Sequence, residues 1–184
     1  IKSKNFFEIN INLLQQNPDC AFSFSNPGEF FEHNNLFKNL SHNLSDNILK
    51  ITPKIYMDIM KERPFHISTN SIIHRTKYFK KTGFNSDLEE LADWTFSIVS
   101  SLRYNSIYIP ENFVYTRIHY DSYSKIRLQN TFHHSKTINK VYLFLSKDDN
   151  KDILKDFIKI GVFPNYNLIF YLAFIFRLKN LRFI

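Results

Sequence analysis

Thr69-Asn70-Ser71-Ile72-Ile73-His74-Arg75-Thr76-Lys77-Tyr78-Phe79-Lys80-Lys81-Thr82-Gly83-Phe84-Asn85 is the stretch on which the fold turns. Ser71 to His74 has the β-branched content of a strand. Thr76 stands where it can cap a short helix through Lys81. Gly83 supplies the left-handed residue that closes such a helix, which makes Phe84 an expected buried latch. The stretch thus reads as a strand followed at once by a short helix closed at Gly83.

Downstream, Leu91, Trp94, Ile98, Val99 and Leu102 fall on one face of a helix about four turns long. Glu89, Glu90 and Asp93 gather at its start, where acids favour the positive end of the helix dipole. Strands are expected at Ile107 to Ile109 and Phe113 to Ile118, separated by Pro110-Glu111-Asn112. Upstream, Phe6, Ile9, Leu13 and Leu14 recur at helical spacing, and the helix should end before Asn17-Pro18 because the residue before proline is pushed out of the helical region. Cys20 to Ser25 reads as a strand and Asn26-Pro27-Gly28 as a turn. The Asn-rich run from His33 to Asn47 has weak periodicity and predicts an irregular excursion with one helical turn. Thr52 as cap and Pro53 in the first turn start a helix that Pro64 stops near Arg63. After Ser124 the pattern becomes helical, near His133 to Ser146 and Asp149 to Ile160, and the chain ends in the apolar run Tyr166 to Phe176.

With 184 residues, 43% hydrophobic and 22% charged, the composition is that of one globular domain with a substantial core. Twenty Phe and ten Tyr against three Gly point to an aromatic interior, although surplus Asn, Ile, Lys and Phe equally fit a biased codon composition. Three glycines cannot build a Gly-rich phosphate loop, and no serine-nucleophile elbow or Cys-His signature occurs, which argues against P-loop and hydrolase classes. Cys20, the single cysteine, lies in an apolar run and reads as a small core residue. A reducing cytoplasm fits. The net charge of +7 is unevenly placed: residues 1–124 hold 13 Lys and Arg against 13 Asp and Glu, residues 125–184 hold 11 against 4. The division predicts a neutral domain over 1–124 and a basic helical extension over 125–184, drawn to an anionic partner.

The order Thr69-Asn70-Ser71-Ile72-Ile73-His74-Arg75, Gly83-Phe84-Asn85, Ala92-Asp93-Trp94, Ile109-Pro110 and Tyr115-Thr116-Arg117-Ile118-His119, preceded by Asn17-Pro18-Asp19 before a strand, resembles the second half of the catalytic domain of family 2 glycosyltransferases. The resemblance covers roughly residues 5–124. It implies an α/β fold, a partial nucleotide-diphospho-sugar transferase domain of the GT-A, Rossmann-like type. It also implies inverting transfer of a sugar from a nucleotide-sugar donor to a glycan or lipid-linked hydroxyl, in surface polysaccharide assembly. In that family a metal- and nucleotide-binding Asp-rich motif lies upstream of the helix with which this chain starts. The expectation is therefore a C-terminal portion of a longer enzyme, inactive alone.

By the same resemblance Asp93 matches the catalytic base, a role for which a carboxylate is suited because it removes the acceptor proton. Ala92 stands where the family usually has Glu, which leaves Glu89 or Glu90 as alternative functional carboxylates. Trp94 is expected at the acceptor sugar or in the core, and Asn70 beside the acceptor. Arg117 is expected at the diphosphate, with Arg75 as either a second basic group or a structural ion-pair partner. His119 is expected to complete a site for a divalent metal, Mn or Mg, whose other ligands come mostly from upstream. Ser122 and Ser124 resemble the family's trailing serines. His133 and His134 have no zinc-type spacing with cysteines and read as surface residues.

Leu168 to Phe176 is nine residues without a charge, followed by Arg177, Lys179 and Arg182. As a helix it spans only about 14 Å, against roughly 30 Å of hydrocarbon, so it is expected to lie in a membrane interface or pack on protein rather than cross. The resulting expectation is a cytoplasmic protein at the cytoplasmic membrane face, with peripheral contact to anionic lipid. Two rivals remain: a transferase-like scaffold that has lost activity, suggested by Ala92, and a module binding an anionic polymer through its basic tail. No RNA-binding motif is present, so nucleic acid is not the expected partner.

Overall fold

The computed structural model describes residues 3–119 and 131–161, and within them the chain is a mixed α/β protein. Helix α1 (Phe6–Gln16) buries Phe6, Asn10 and Leu14. It ends as expected at Asn17, whose N–H bonds back to the carbonyls of Leu13 and Leu14 at 3.1 Å. Strand β1 (Cys20–Ser25) follows and is buried at all six positions, as a strand covered on both faces must be. On one face Phe22 and Phe24 enter the larger core, while the buried Ser23 donates to Asn10 Oδ1 of α1 at 2.6 Å. Asn10 also bonds to the carbonyl of Phe6 at 2.7 Å, so a polar pair ties α1 to the sheet without an unsatisfied amide.

The Asn-rich run departs from the expected irregular excursion only in part: it has the short helical turn and is irregular over 40–48, but carries a strand at Leu36–Asn39. Strands β2 (Gly28–Phe31) and β3 (Leu36–Asn39) form an antiparallel hairpin around a short 3-10 turn at Glu32–Asn34, with Asn35 left-handed at φ 54°. Asn tolerates that conformation, so it serves where glycine is scarce. Strand β4 (Leu49–Ile51) leads into α2 (Pro53–Glu62), where Thr52 Oγ1 accepts from the N–H of Ile55 at 3.3 Å as the cap-plus-proline reading requires. A 3-10 turn at Thr69–Ser71 precedes β5 (Ile72–His74), and α3 (Thr76–Thr82) closes at Gly83 with φ 76°. Arg75 occupies the N-cap position of α3, and the Thr76 side chain makes no cap. Phe84 is a correction: it is 43% exposed and stacks on Phe79 at the surface instead of latching into the core.

Helix α4 (Ala92–Arg103), β6 (Asn105–Ile109), β7 (Tyr115–Ile118), α5 (Thr131–Leu145) and α6 (Lys151–Lys159) complete the described chain. Four strands form one sheet in the order β4-β6-β1-β5, with β1 and β6 parallel and the two outer strands antiparallel. The parallel pair demands a long crossover, and α2 through α4 lie within it. The second sheet runs β3-β2-β7, with β2 and β7 parallel. In this pair Gly28 is required by close approach, because a Cβ there would stand 2.6 Å from the Tyr115 ring.

Two cores flank the larger sheet. Phe6, Leu14, Cys20, Ile107 and Ile109 pack under α1. The larger core surrounds α4 and takes in Tyr56, Met60, Trp94, Tyr108, Val141, Leu145, Ile153 and Phe157. Helices α5 and α6, assigned by charge to the basic extension, thus share a core with α4. That helix is buried on more than the expected single face: Ala92 and every residue from Trp94 to Leu102 are buried, Thr95, Ser97, Ser100 and Ser101 among them. Among the described residues no helix is long and apolar enough to cross a membrane. The apolar run Leu168 to Phe176, with Ser122 and Ser124, lies outside the described residues.

Candidate functional site

Asp93 is the exposed exception on a buried helix. It sits in the first turn of α4, where the free N–H groups favour a carboxylate, and its Oδ2 accepts from Thr69 Oγ1 at 3.2 Å. Thr69 is held there because the next two residues turn into β5: the single proton of the buried Ser71 hydroxyl is shared between the carbonyl of Ser68, 2.7 Å from Oγ, and that of Ser25, at 3.2 Å. The turn is thereby fixed to the carboxyl end of β1. His66 also feels the Asp93 charge. Crowding by neighbouring atoms pulls its imidazole below the usual range, and the carboxylate opposes that shift.

Asn70 Nδ2 donates to Thr116 Oγ1 of β7 at 3.2 Å. A path of polar contacts therefore runs from Asp93 through Thr69 and Asn70 to β7. Arg117 is the next residue, but alternation along a strand sends Thr116 and Arg117 to opposite sides. On its own side the Arg117 guanidinium makes a two-point ion pair with Glu32, Nε to Oε2 at 2.9 Å and a second, shorter contact to Oε1. That pairing lowers the Glu32 pKa and raises that of Arg117. His119 is exposed and close enough for its charge to act on Glu32 as well. The structure brings Asp93 and Asn70 together on one side of β7, and Arg117, His119 and Glu32 on the other.

Trp94 is 9% exposed and meets Phe157 of α6 edge to face, ring centroids 5.4 Å apart. The expected place in the core is occupied, which does not exclude the acceptor role. Arg75 takes a structural role: Nε donates to the carbonyl of Cys20 at 3.0 Å and the guanidinium also reaches the carbonyl of Leu14, tying the α1 terminus to β1. Cys20 is buried, and burial raises its thiol pKa, as befits a core residue.

Glu89 and Glu90 turn away to a different partner. Glu89 adopts φ 51°, ψ −123° within the turn Ser86–Leu91, a conformation uncommon for a residue with a side chain. Its carboxylate meets Lys140 of α5, whose hydrogen bond lowers the Glu89 pKa. Both glutamates also approach His133 Nε2, each at 3.1 Å. His133 is thus a correction to the surface reading; its neighbour's side chain is not described. Glu89, Glu90 and His133 are the described residues whose ligating atoms cluster tightly enough to hold an ion, within 4.8 Å of one another. Sequence reasoning missed this group because its members are joined only by the packing of α5 on the turn.

A scan against protein-family models finds no match for this chain, and a search of curated proteins finds none either.

Proposed function

We propose that this chain is the acceptor-side part of an inverting glycosyltransferase of the GT-A type, with Asp93 as the base. The observation that carries the reading is a carboxylate kept in water at the start of a helix that is otherwise buried from Ala92 to Leu102, with a hydroxyl donor fixing one of its oxygens. Thr69 orients Oδ2, and Oδ1 then faces an acceptor hydroxyl. As the acceptor oxygen forms its bond to the anomeric carbon, its proton passes to Asp93, and the bond from that carbon to the nucleoside diphosphate breaks with the electron pair leaving on phosphate. Asn70, beside Thr69, lies within reach of the same acceptor.

Arg117 is assigned to the diphosphate by the resemblance alone: it lies across β7 from Asp93 and must exchange Glu32 for phosphate oxygens. A guanidinium makes the same two-point contact with either. His119 supplies an exposed imidazole next to a carboxylate, a donor pair that suits a divalent transition ion. Of the two expected ions, Mn is the one this donor pair suits; with it bound by these and by ligands from outside this chain, the ion would neutralise charge on the departing diphosphate. The nucleotide-sugar donor is assigned to residues outside this chain, and the acceptor to a glycan or lipid-linked hydroxyl. The basic extension is assigned to peripheral contact with an anionic membrane, at its cytoplasmic face.

The test is Asp93→Asn in the full-length enzyme that contains this chain, assayed by nucleotide release over a panel of uridine, guanosine and thymidine diphospho-sugars. Loss of the base should lower kcat about 10²-fold or more with donor binding little changed. Equal turnover of variant and parent would remove Asp93 from the mechanism.

A further inference from the structure

Glu90 is an unusual acid in this chain, because its side chain is only 1% exposed. A carboxylate withdrawn from water needs a compensating charge of good geometry. Its Oε2 lies 3.1 Å from His133 Nε2, and so does Oε2 of Glu89. One imidazole nitrogen carries at most one proton and cannot direct it well at two carboxylates. With bonds of about 2.1 Å, adjacent ligands stand ~3.0 Å apart in an octahedron and ~3.4 Å apart in a tetrahedron, so the two nitrogen–oxygen separations of 3.1 Å are those of neighbouring ligands, and all three atoms lie within 4.8 Å of one another.

We propose that Glu89, Glu90 and His133 bind a divalent transition ion, zinc foremost, which staples the turn Ser86–Leu91 to helix α5. Imidazole with carboxylates selects zinc and its neighbours over magnesium and calcium, which prefer oxygen alone. Lys140 does not compete for the ligating atom, since it engages Oε1 of Glu89 and leaves Oε2 toward the histidine. Three protein ligands leave further positions for water. The turn leads directly into α4, so the ion would brace the helix that carries Asp93. It is a different ion from the one assigned to His119, and the proposal does not rest on the transfer reading.

The experiment uses the 184-residue chain, free of any affinity tag and stripped with chelator. It is titrated with cobalt as a spectroscopic probe and then with zinc. One equivalent of cobalt should give visible d–d absorption that one equivalent of zinc abolishes, and micromolar zinc should raise Tm where the same concentration of magnesium does not. His133→Ala and Glu90→Gln should each lose that equivalent, and His119→Ala should keep it. Absence of a cobalt spectrum at tenfold excess overturns the proposal, and this reading needs no variant to fold. Retention of the bound equivalent in both His133→Ala and Glu90→Gln overturns it equally, as does its loss in His119→Ala alone.

Discussion

Acid should destabilise this protein well above the pH at which its carboxylates titrate, because two histidines are folded into aromatic surroundings. His42 is packed among Phe24, Phe65 and Tyr108, with ring centroids 5.0 to 6.2 Å away. Its buried Nε2 has no hydrogen-bond partner among the described residues. His74 lies against Phe22 at 5.0 Å and Phe96 at 4.9 Å. Burial lowers both imidazoles from 6.5 to about 4, with the positive charges of His66 and Arg63 adding to the effect at His42. The folded state therefore binds fewer protons than the unfolded state between these values, so stability falls as pH falls, beginning near 6.5 and complete near 4. Between pH 7 and pH 5 each histidine should cost about 2 kcal/mol, and the pair about 4 kcal/mol. That is a large fraction of the stability of a domain this size. Urea unfolding at pH 7 and pH 5, in chelator, measures the difference. His42→Phe and His74→Phe keep a ring but remove the titration, and each should roughly halve the loss between the two pH values, whatever it does to stability at pH 7. If both variants lose as much as the parent, the buried-histidine reasoning is wrong.

Two further outcomes are expected. Phe157→Ala removes a fully buried ring that packs on Trp94 and should cost about 3–5 kcal/mol in urea unfolding; a change below about 1 kcal/mol would show that α6 is not part of the core that supports α4. Co-sedimentation with anionic vesicles should hold the 184-residue chain at low salt and release much of it as salt rises. Equal partition of a version ending at Asn165 would detach membrane contact from the apolar run.

Much of the fold was legible where local chemistry is decisive. Thr52-Pro53, Gly83 and Asn17-Pro18 each fix a helix end through backbone geometry that few residues share, and the helices and strands they bound are where the pattern puts them. The hairpin of β2 and β3 was not legible, because apart from Gly28 its residues are exposed or half-buried and β2 is specified by pairing with β7, far along the chain. Phe84 was misread for a related reason: hydrophobicity alone does not say that Phe79 and Phe96 already fill the space below it. Asp93 was legible because helix periodicity puts it in a first turn, whereas its Thr69 contact depends on tertiary packing. The Glu89, Glu90 and His133 group was invisible, since no spacing rule connects a turn to a helix some forty residues later.

The serines of α4 have a mechanical consequence. Ser97 and Ser101 return their hydroxyls to the carbonyls of Asp93 and Ser97, each at 2.8 Å, and their small side chains let neighbouring elements close in around the helix. A rod gripped on every side cannot slide or turn without loosening the whole interior. Asp93 is therefore the stationary post of its surroundings: if it is the base proposed above, an acceptor must be brought to it, and adaptation to a new acceptor would fall to the turns around Thr69 and β7, which can be rebuilt while the rod stays clamped.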